Sequence, residues 1–117
     1  MTADGWQSPP EVTAADAIQA QLLGAQLIDV RELDEWLAGH APGAIHVPMS
    51  QFSLPAGALP PADPLIIVCR SGVRSGFVVA ELLAAGNNAV NLVGGMQARQ
   101  QTGGAVVHDD NTPGSVI

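Results

Sequence analysis

The chain has 117 residues, which is enough for one domain with a single packed core. Its formal net charge is −7 and it contains no lysine, so we expect no partnership with nucleic acid or with an anionic membrane surface. The N-terminus lacks the basic and apolar regions of a signal peptide, and no apolar run approaches the roughly 20 residues that cross a bilayer. These features predict a cytoplasmic protein.

Short apolar strands alternate with helices along most of the chain. After a loosely held lead-in over residues 1–10, we expect one domain over residues 11–101 and a peripheral tail over residues 102–117. Strands are predicted at 11–12, 27–30, 44–47, 65–68 and 89–93, helices at 14–23, 31–37, 75–85 and 96–101, and a long loop with at most one helical turn at 49–63. This alternation predicts an α/β fold with a mainly parallel sheet covered by helices on both faces.

The first two helices carry more detailed predictions. Thr13 is predicted to cap the first helix, with Asp16 three residues later in the manner of a capping box. The side chains expected to face the core are Ala17, Ile18, Gln21 and Leu22 in the first helix and Leu33, Trp36 and Leu37 in the second.

Cys69 comes directly after the apolar strand 65–68 and opens a short polar loop that leads into a helix. In a parallel sheet, ligands bind beyond the carboxyl ends of the strands, and backbone N–H groups at a helix N-terminus converge on an anion. A cysteine in this position is more commonly a small buried hydrophobic residue. However, the loop supplies a glycine, two hydroxyls and two arginines, and such surroundings lower the pKa of a thiol. We therefore predict that Cys69 is a nucleophilic thiolate.

Arg70 and Arg74 are two of only four arginines in the chain, and both flank the cysteine. An exposed arginine in a loop is commonly a solvated charge. A guanidinium also offers forked donors that recognise a sulfonate, sulfate or phosphate. Because both lie beside the only cysteine of an acidic chain, we expect at least one of them to bind an anion.

Asp29 and Arg31 follow another strand and are expected at the same edge of the sheet as Cys69. Asp29 is predicted to cap the helix that follows it. Arg31 either pairs with a carboxylate or points into the site, and the first alternative is favoured. Both residues are therefore expected to support the site rather than to react.

The histidines do not predict a metal site. His40 and His46 are separated by a Pro-Gly turn and lack a third ligand at a matching spacing, so structural roles are expected. The run His108-Asp109-Asp110 in the tail is expected to be solvated.

Three segments resemble the rhodanese (thiosulfate sulfurtransferase) homology family. Residues 27–32 and 35–48 together are similar to its first signature, residues 66–75 to its active-site loop, and residues 91–96 to its closing segment. The ordered trio covers roughly residues 11–101 and is far more specific than the cysteine loop alone. Gln97 stands where the family usually has tryptophan, and Ala41 stands where a β-branched aliphatic residue is common.

The resemblance implies a rhodanese-like fold, with a five-stranded mainly parallel sheet and helices on both faces. It also implies that the Cys69 thiolate takes a sulfur from thiosulfate or a similar donor, becomes a persulfide, and passes the sulfur to cyanide or a cellular thiol without any cofactor. The residues implied to bind the substrate are Arg70, Ser71, Gly72, Val73, Arg74 and Ser75. Since Cys69 is the only cysteine, the acceptor comes from outside the chain, either as a small molecule or as the thiol of a partner protein.

Two alternatives remain open at this point. A phosphatase or arsenate reductase of the related cysteine-loop type needs one residue more between cysteine and arginine than the four that separate Cys69 from Arg74. A regulatory or sulfur-carrying module loaded by a partner protein would use the same persulfide without turning over free thiosulfate.

Overall fold

The sheet is built from five short parallel strands. The structure, a computed structural model, describes residues 10–51 and 64–117, so most of the predicted lead-in and of the predicted 49–63 loop lies outside the described residues. The strands are β1 (Glu11–Val12), β2 (Leu27–Asp29), β3 (Ile45–His46), β4 (Leu65–Val68) and β5 (Ala89–Leu92). They lie in the order β1-β5-β4-β2-β3, and every pair is parallel. The predicted five-stranded, mainly parallel sheet is confirmed.

Four α-helices lie within the described residues. They are α1 (Ala14–Leu22), α2 (Leu33–Ala38), α3 (Val73–Ala84) and α4 (Gly95–Gln101), and a 3-10 turn spans Met49–Gln51. The predicted cap of α1 is present, since the Asp16 amide donates to Thr13 Oγ1 at 3.1 Å. None of the helices in residues 10–51 and 64–117 is long and apolar enough to cross a membrane.

Two helices begin at residues other than those predicted. α2 begins two residues later, because Glu32 and Glu35 form a capping box that places the helix start at Leu33. α3 begins two residues earlier, because Gly72 adopts a left-handed φ of 101°, from which the chain turns directly into the helix.

The sheet separates two apolar layers, because successive side chains of a strand point to opposite faces. On one face, Ile28 and Ile67 pack in a buried cluster with side chains of α3. On the other face, Leu27 and Ile66 pack in a second cluster with side chains of α1 and α4. Helices therefore cover both faces, as predicted.

Several apolar side chains predicted to face the core are exposed instead. Leu22 is 76% exposed, Leu33 57% and Leu37 52%. In α1, the residues that reach the core are Ala14 and Ala17 near its start, and Leu22 is its last residue. α2 has only 6 residues, and none of its side chains is fully buried. The predicted inner stripes are therefore wrong at these three leucines.

Trp36 stacks on the two histidines that flank the following turn. Its ring centroid lies 3.7 Å from that of His40 and 4.7 Å from that of His46, and both pairs are nearly parallel. His40 Nδ1 lies 3.0 Å from the Trp36 carbonyl, and His46 Nε2 lies 2.7 Å from the Arg31 carbonyl. Both histidines therefore have the structural contacts expected of them.

The tail is attached to the domain more closely than its loop composition suggests. Val107 forms an antiparallel bridge with His40, with N–H···O distances of 2.9 and 2.8 Å. The Ser115 amide donates to the Ala38 carbonyl at 2.8 Å, and a Cβ atom at Gly39 would lie 2.6 Å from both the backbone nitrogen and oxygen of Ser115. His108, predicted to be solvated, is half-buried, and its Nδ1 lies 3.0 Å from a carbonyl at the end of α2. These contacts pack the tail against the domain.

Asp29 and Arg31 form a fully buried ion pair at the carboxyl end of β2. Both side chains are 0% exposed, and Arg31 Nη2 donates to Asp29 Oδ2 at 2.8 Å and to the Gly39 carbonyl at 2.7 Å. Asp29 Oδ1 accepts the Arg31 backbone N–H at 3.0 Å. The prediction that Asp29 caps α2 is therefore wrong, since Glu32 and Glu35 take that role. The predicted carboxylate partner of Arg31 is present.

Replacing Asp29 by asparagine should destabilise the protein strongly. The change leaves a buried guanidinium without its counter-charge, which costs about 3–5 kcal/mol when one partner of a buried pair is removed. Asp34→Asn is the matched control, because Asp34 is an exposed acid in the first turn of α2 and its loss costs less than about 1 kcal/mol. Urea denaturation measures both free energies of unfolding. Equal losses for the two variants would show that the buried pair contributes nothing specific.

Candidate active site

Cys69 is the residue that leaves the carboxyl end of β4, and its side chain is almost fully buried. Its sulfur accepts hydrogen bonds from the Gly72 backbone N–H at 3.1 Å and from the Ser75 hydroxyl at 3.2 Å. Burial alone raises the pKa of the Cys69 thiol. The Ser75 hydroxyl and the backbone N–H groups of Ser75, Gly72 and Ser71 outweigh it, so that the pKa lies below its usual value. The donors around the sulfur therefore stabilise its anion relative to the neutral thiol.

The loop around the sulfur leads directly into the N-terminus of α3. Gly72, in the left-handed conformation, is the residue before the helix, and Val73 is its first residue. The first backbone N–H groups of a helix have no partner within it and form the positive end of its dipole. The turn at Gly72 thus brings donors of the loop and the positive end of α3 to the same atom.

The first turn of α4 holds the backbone of the cysteine loop. The amide of Met96 donates to the Cys69 carbonyl at 2.8 Å, and the amide of Gln97 donates to the Arg70 carbonyl at 3.1 Å. Because C=O and N–H of one peptide point in opposite directions, fixing the Arg70 carbonyl toward α4 turns the next amide toward the sulfur. A Cβ at Gly95 would lie 2.5 Å from the Arg70 carbonyl oxygen, so only glycine permits this approach.

Asn91 is a site residue that the sequence analysis did not single out. It lies on β5, is 5% exposed, and donates from Nδ2 to the Gly72 carbonyl at 3.0 Å. Its Oδ1 accepts the Ser75 hydroxyl at 2.6 Å. The single proton of that hydroxyl therefore has two acceptors within reach, Asn91 Oδ1 and Cys69 Sγ. A polar residue between two apolar residues of a predicted strand, Val90 and Leu92, was the signal that could have identified it.

The two arginines of the loop have different environments. Arg74 is bound by Glu35 of α2, with Nη1–Oε1 and Nη2–Oε2 distances of 2.7 and 2.8 Å. This pair raises the pKa of Arg74 and lowers the pKa of Glu35. Arg70 is exposed and forms no ion pair within the described part of the chain. Of the two arginines, at least one of which was expected to bind an anion, only Arg70 has no carboxylate partner in the described residues.

The remaining predicted residues lie around this centre. Ser71 is exposed, and Val73 is 65% exposed at the start of α3. Asp29 pairs in register with Val68, the residue before Cys69, so the buried Asp29–Arg31 pair lies at the same edge of the sheet. Within residues 10–51 and 64–117, no group of three or more histidine, cysteine, aspartate or glutamate side chains is placed to hold a metal ion.

Sequence relatives of this chain include sulfur-transfer and sulfur-carrier proteins. Thiosulfate sulfurtransferase 18 of Arabidopsis thaliana is 36% identical over 103 residues, which cover 73% of this chain and 75% of that protein. The putative sulfur carrier protein YrkF of Bacillus subtilis is 33% identical over 72 residues, which cover 61% of this chain but only 39% of YrkF.

Solved structures show the same fold. A rhodanese-related protein from Thermoplasma volcanium superimposes with a TM-score of 0.75 at 28% identity. The alignment covers 84% of this chain and 97% of the Thermoplasma chain. A rhodanese-like domain protein from Staphylococcus aureus superimposes with a TM-score of 0.68 at 35% identity. That alignment covers 77% of this chain and 90% of the Staphylococcus chain.

The family model of the rhodanese-like domain matches residues 13–102, from the cap of α1 to the end of α4. This span contains all the residues that surround the Cys69 sulfur. With its cysteine loop between β4 and α3 and its match over most of the chain, this protein belongs to the rhodanese-like domain family.

Proposed function

We propose that this chain is a sulfurtransferase whose Cys69 thiolate carries a sulfane sulfur as a persulfide. The observation that supports it most directly is the Gly72 amide donating to Cys69 Sγ at 3.1 Å, with the Ser75 hydroxyl, shared with Asn91, 3.2 Å from the same sulfur. Donors aimed at a buried sulfur favour its anion over the neutral thiol. A thiolate is the form of cysteine that attacks sulfur.

The first half-reaction loads Cys69 from thiosulfate or a similar donor. The thiolate attacks the outer sulfur, a new S–S bond forms to Sγ, the S–S bond of the donor breaks, and sulfite leaves with its electron pair. The terminal sulfur of the persulfide then carries the negative charge. The loop amides and the N-terminus of α3 offer donors to it in a site that excludes most water.

The second half-reaction needs a nucleophile from outside the chain. A thiolate or cyanide attacks the terminal sulfur, takes it as a persulfide or as thiocyanate, and releases the Cys69 thiolate. No second cysteine is available to do this, since Cys69 is the only one in the sequence. We place this reaction in the cytoplasm, where reduced thiols are abundant.

Arg70 is the residue proposed to attract the anionic donor. It is exposed beside the thiol, and no carboxylate among the described residues neutralises it. Arg74 is proposed to act differently, by holding the start of α3 through its bond to Glu35. A phosphatase-like reaction, in which the second arginine binds a tetrahedral oxyanion, is disfavoured because the Arg74 guanidinium is already engaged.

A sulfur-carrier role is the second candidate function. It is favoured by the burial of Sγ, which restricts access, and by the relative YrkF, a putative sulfur carrier protein. In this role a partner protein, rather than free thiosulfate, would load Cys69 and a partner would unload it. The two functions share the persulfide and differ in the donor.

Thiosulfate should load one sulfur atom onto Cys69. The intact mass is expected to rise by about 32 Da, because the covalent intermediate retains the outer sulfur, and to return to its starting value when a thiol or cyanide is added. Cys69→Ser should keep the fold and show no gain. A wild-type chain that gains sulfur only from a persulfidated protein, and not from thiosulfate, would establish the carrier role instead.

Ser75→Ala should raise the pKa of Cys69. The variant loses the hydroxyl that donates to the sulfur, so the pH midpoint of alkylation by iodoacetamide should move upward toward the usual value of about 8.5. The wild-type midpoint is expected below that value. Ser71→Ala is the matched control, because it removes an exposed hydroxyl but keeps the backbone N–H that faces the sulfur. Identical midpoints for Ser75→Ala and the wild type would contradict the proposed role of the hydroxyl.

Arg70→Ala and Arg74→Ala should impair the protein differently, the first in donor binding and the second in stability. Loss of Arg70 is expected to raise KM for thiosulfate by about tenfold with a smaller change in kcat, since it removes attraction for the anion. Its melting temperature should stay close to that of the wild type. Loss of Arg74 breaks the bond to Glu35 and should lower the melting temperature and affect charged and neutral donors alike. A larger KM effect from Arg74→Ala than from Arg70→Ala would reverse these assignments.

A further inference from the structure

Arg99 of α4 is a buried cation without a carboxylate partner in the described part of the chain. It is 5% exposed, and its guanidinium donates to two neutral oxygens, from Nε to the Ala105 carbonyl at 3.1 Å and from Nη1 to Gln21 Oε1 at 2.8 Å. A guanidinium has five N–H groups. Neither bond uses Nη2, which is open to solvent, because Arg31 Nη1 is the buried side-chain nitrogen without a partner in residues 10–51 and 64–117.

Arg99 also borders a cavity. Arg99 lines a space of about 410 Å³, within the size range of small-molecule sites. Burial lowers the pKa of Arg99, and no neighbouring carboxylate opposes this effect. No carboxylate among the described residues offsets the positive charge of Arg99, which can therefore attract an anion. The cavity is therefore electrostatically suited to an anion.

The cavity lies at the sheet edge opposite Cys69. It is bounded by the end of α1 and by the loops that lead into β2 and β3, so it lies where these parallel strands begin. Cys69 lies where β4 ends. The cavity is therefore separate from the site of sulfur transfer.

The rest of the lining is mostly apolar. Ile18, Leu22, Ala25 and Pro42 contribute to the walls. The amide group of Gln21 is fixed by its bonds to Arg99 and to the Pro42 carbonyl, the latter at 3.3 Å. One guanidinium within apolar walls suits an anion of a single charge with a short apolar body. A sulfate or phosphate would bring more negative charge than this one cation neutralises.

We propose that this cavity binds a small aliphatic monocarboxylate. The carboxylate accepts hydrogen bonds from the free N–H groups of Arg99, whose planar fork matches it. The hydrocarbon chain packs against Ile18, Leu22 and Pro42. This site goes beyond the proposed sulfur transfer and does not depend on it.

A titration with hexanoate followed by amide NMR spectroscopy tests the site, with hexanamide as the neutral control of the same chain length. Hexanoate should give saturable shifts at the amides that border the cavity, such as Gly24, Ala25 and Gly43, and none at the loop after Cys69. Hexanamide should give at most weak, unsaturated shifts. Absence of saturable shifts with hexanoate, or equal shifts with hexanamide, would overturn the proposal.

Two exposed leucines at the end of α1 provide matched variants. Leu22 lines the cavity and is 76% exposed, whereas Leu23 is 85% exposed and lies outside the lining. Leu22→Glu should place a competing carboxylate near Arg99 and weaken hexanoate binding at least about tenfold, while Leu23→Glu, with the same charge, should change it less than about twofold. Both substitutions are at exposed positions, so the fold should be kept. Equal weakening by both variants would trace the effect to net charge and reject the site.

Discussion

Hydrogen bonds to the loop that follows Cys69 fix the donors that surround its sulfur. The first turn of α4 binds the carbonyls of Cys69 and Arg70, and fixing the Arg70 carbonyl turns the Ser71 amide toward the sulfur. Gly95 permits the close approach, and Asn91 fixes the Gly72 carbonyl from β5. Burial alone would raise the pKa of the thiol, so the chemistry of this cysteine depends on contacts between two neighbouring strand–helix connections.

The four arginines of this acidic chain have four distinct environments. Arg31 is buried with Asp29 and supports the edge of the sheet, and Arg74 is bound by Glu35 beside the start of α3. The other two have no carboxylate partner in the described residues: Arg70 is exposed beside the thiol, and Arg99 is buried at the opposite edge of the sheet. A cation without a carboxylate partner retains its capacity to bind an external anion, and this is why both places are proposed as anion sites.

Polar contacts and ring stacking position α2 within the connection between β2 and β3. α2 buries no side chain, and its position depends on the Glu32–Glu35 capping box and on the stacking of Trp36 with two histidines. The tail adds an antiparallel bridge at His40. Because Glu35 also binds Arg74, this polar region is joined directly to the start of α3, and hence to the loop around the sulfur.

The sequence by itself determined the order of strands and helices, the parallel sheet and the place of the cysteine loop, because each follows from local features such as apolar runs, glycines and a polar loop after a buried strand. It did not show that Glu35 occupies Arg74, that Asn91 holds the loop, or that the tail packs against the domain. Those pairings join residues far apart in the chain, and only the packing of the elements selects one partner among several suitable ones. The inward orientation predicted for Leu33 and Leu37 was wrong for the same reason, because a periodic pattern indicates an apolar face but the tertiary structure decides whether another element covers it.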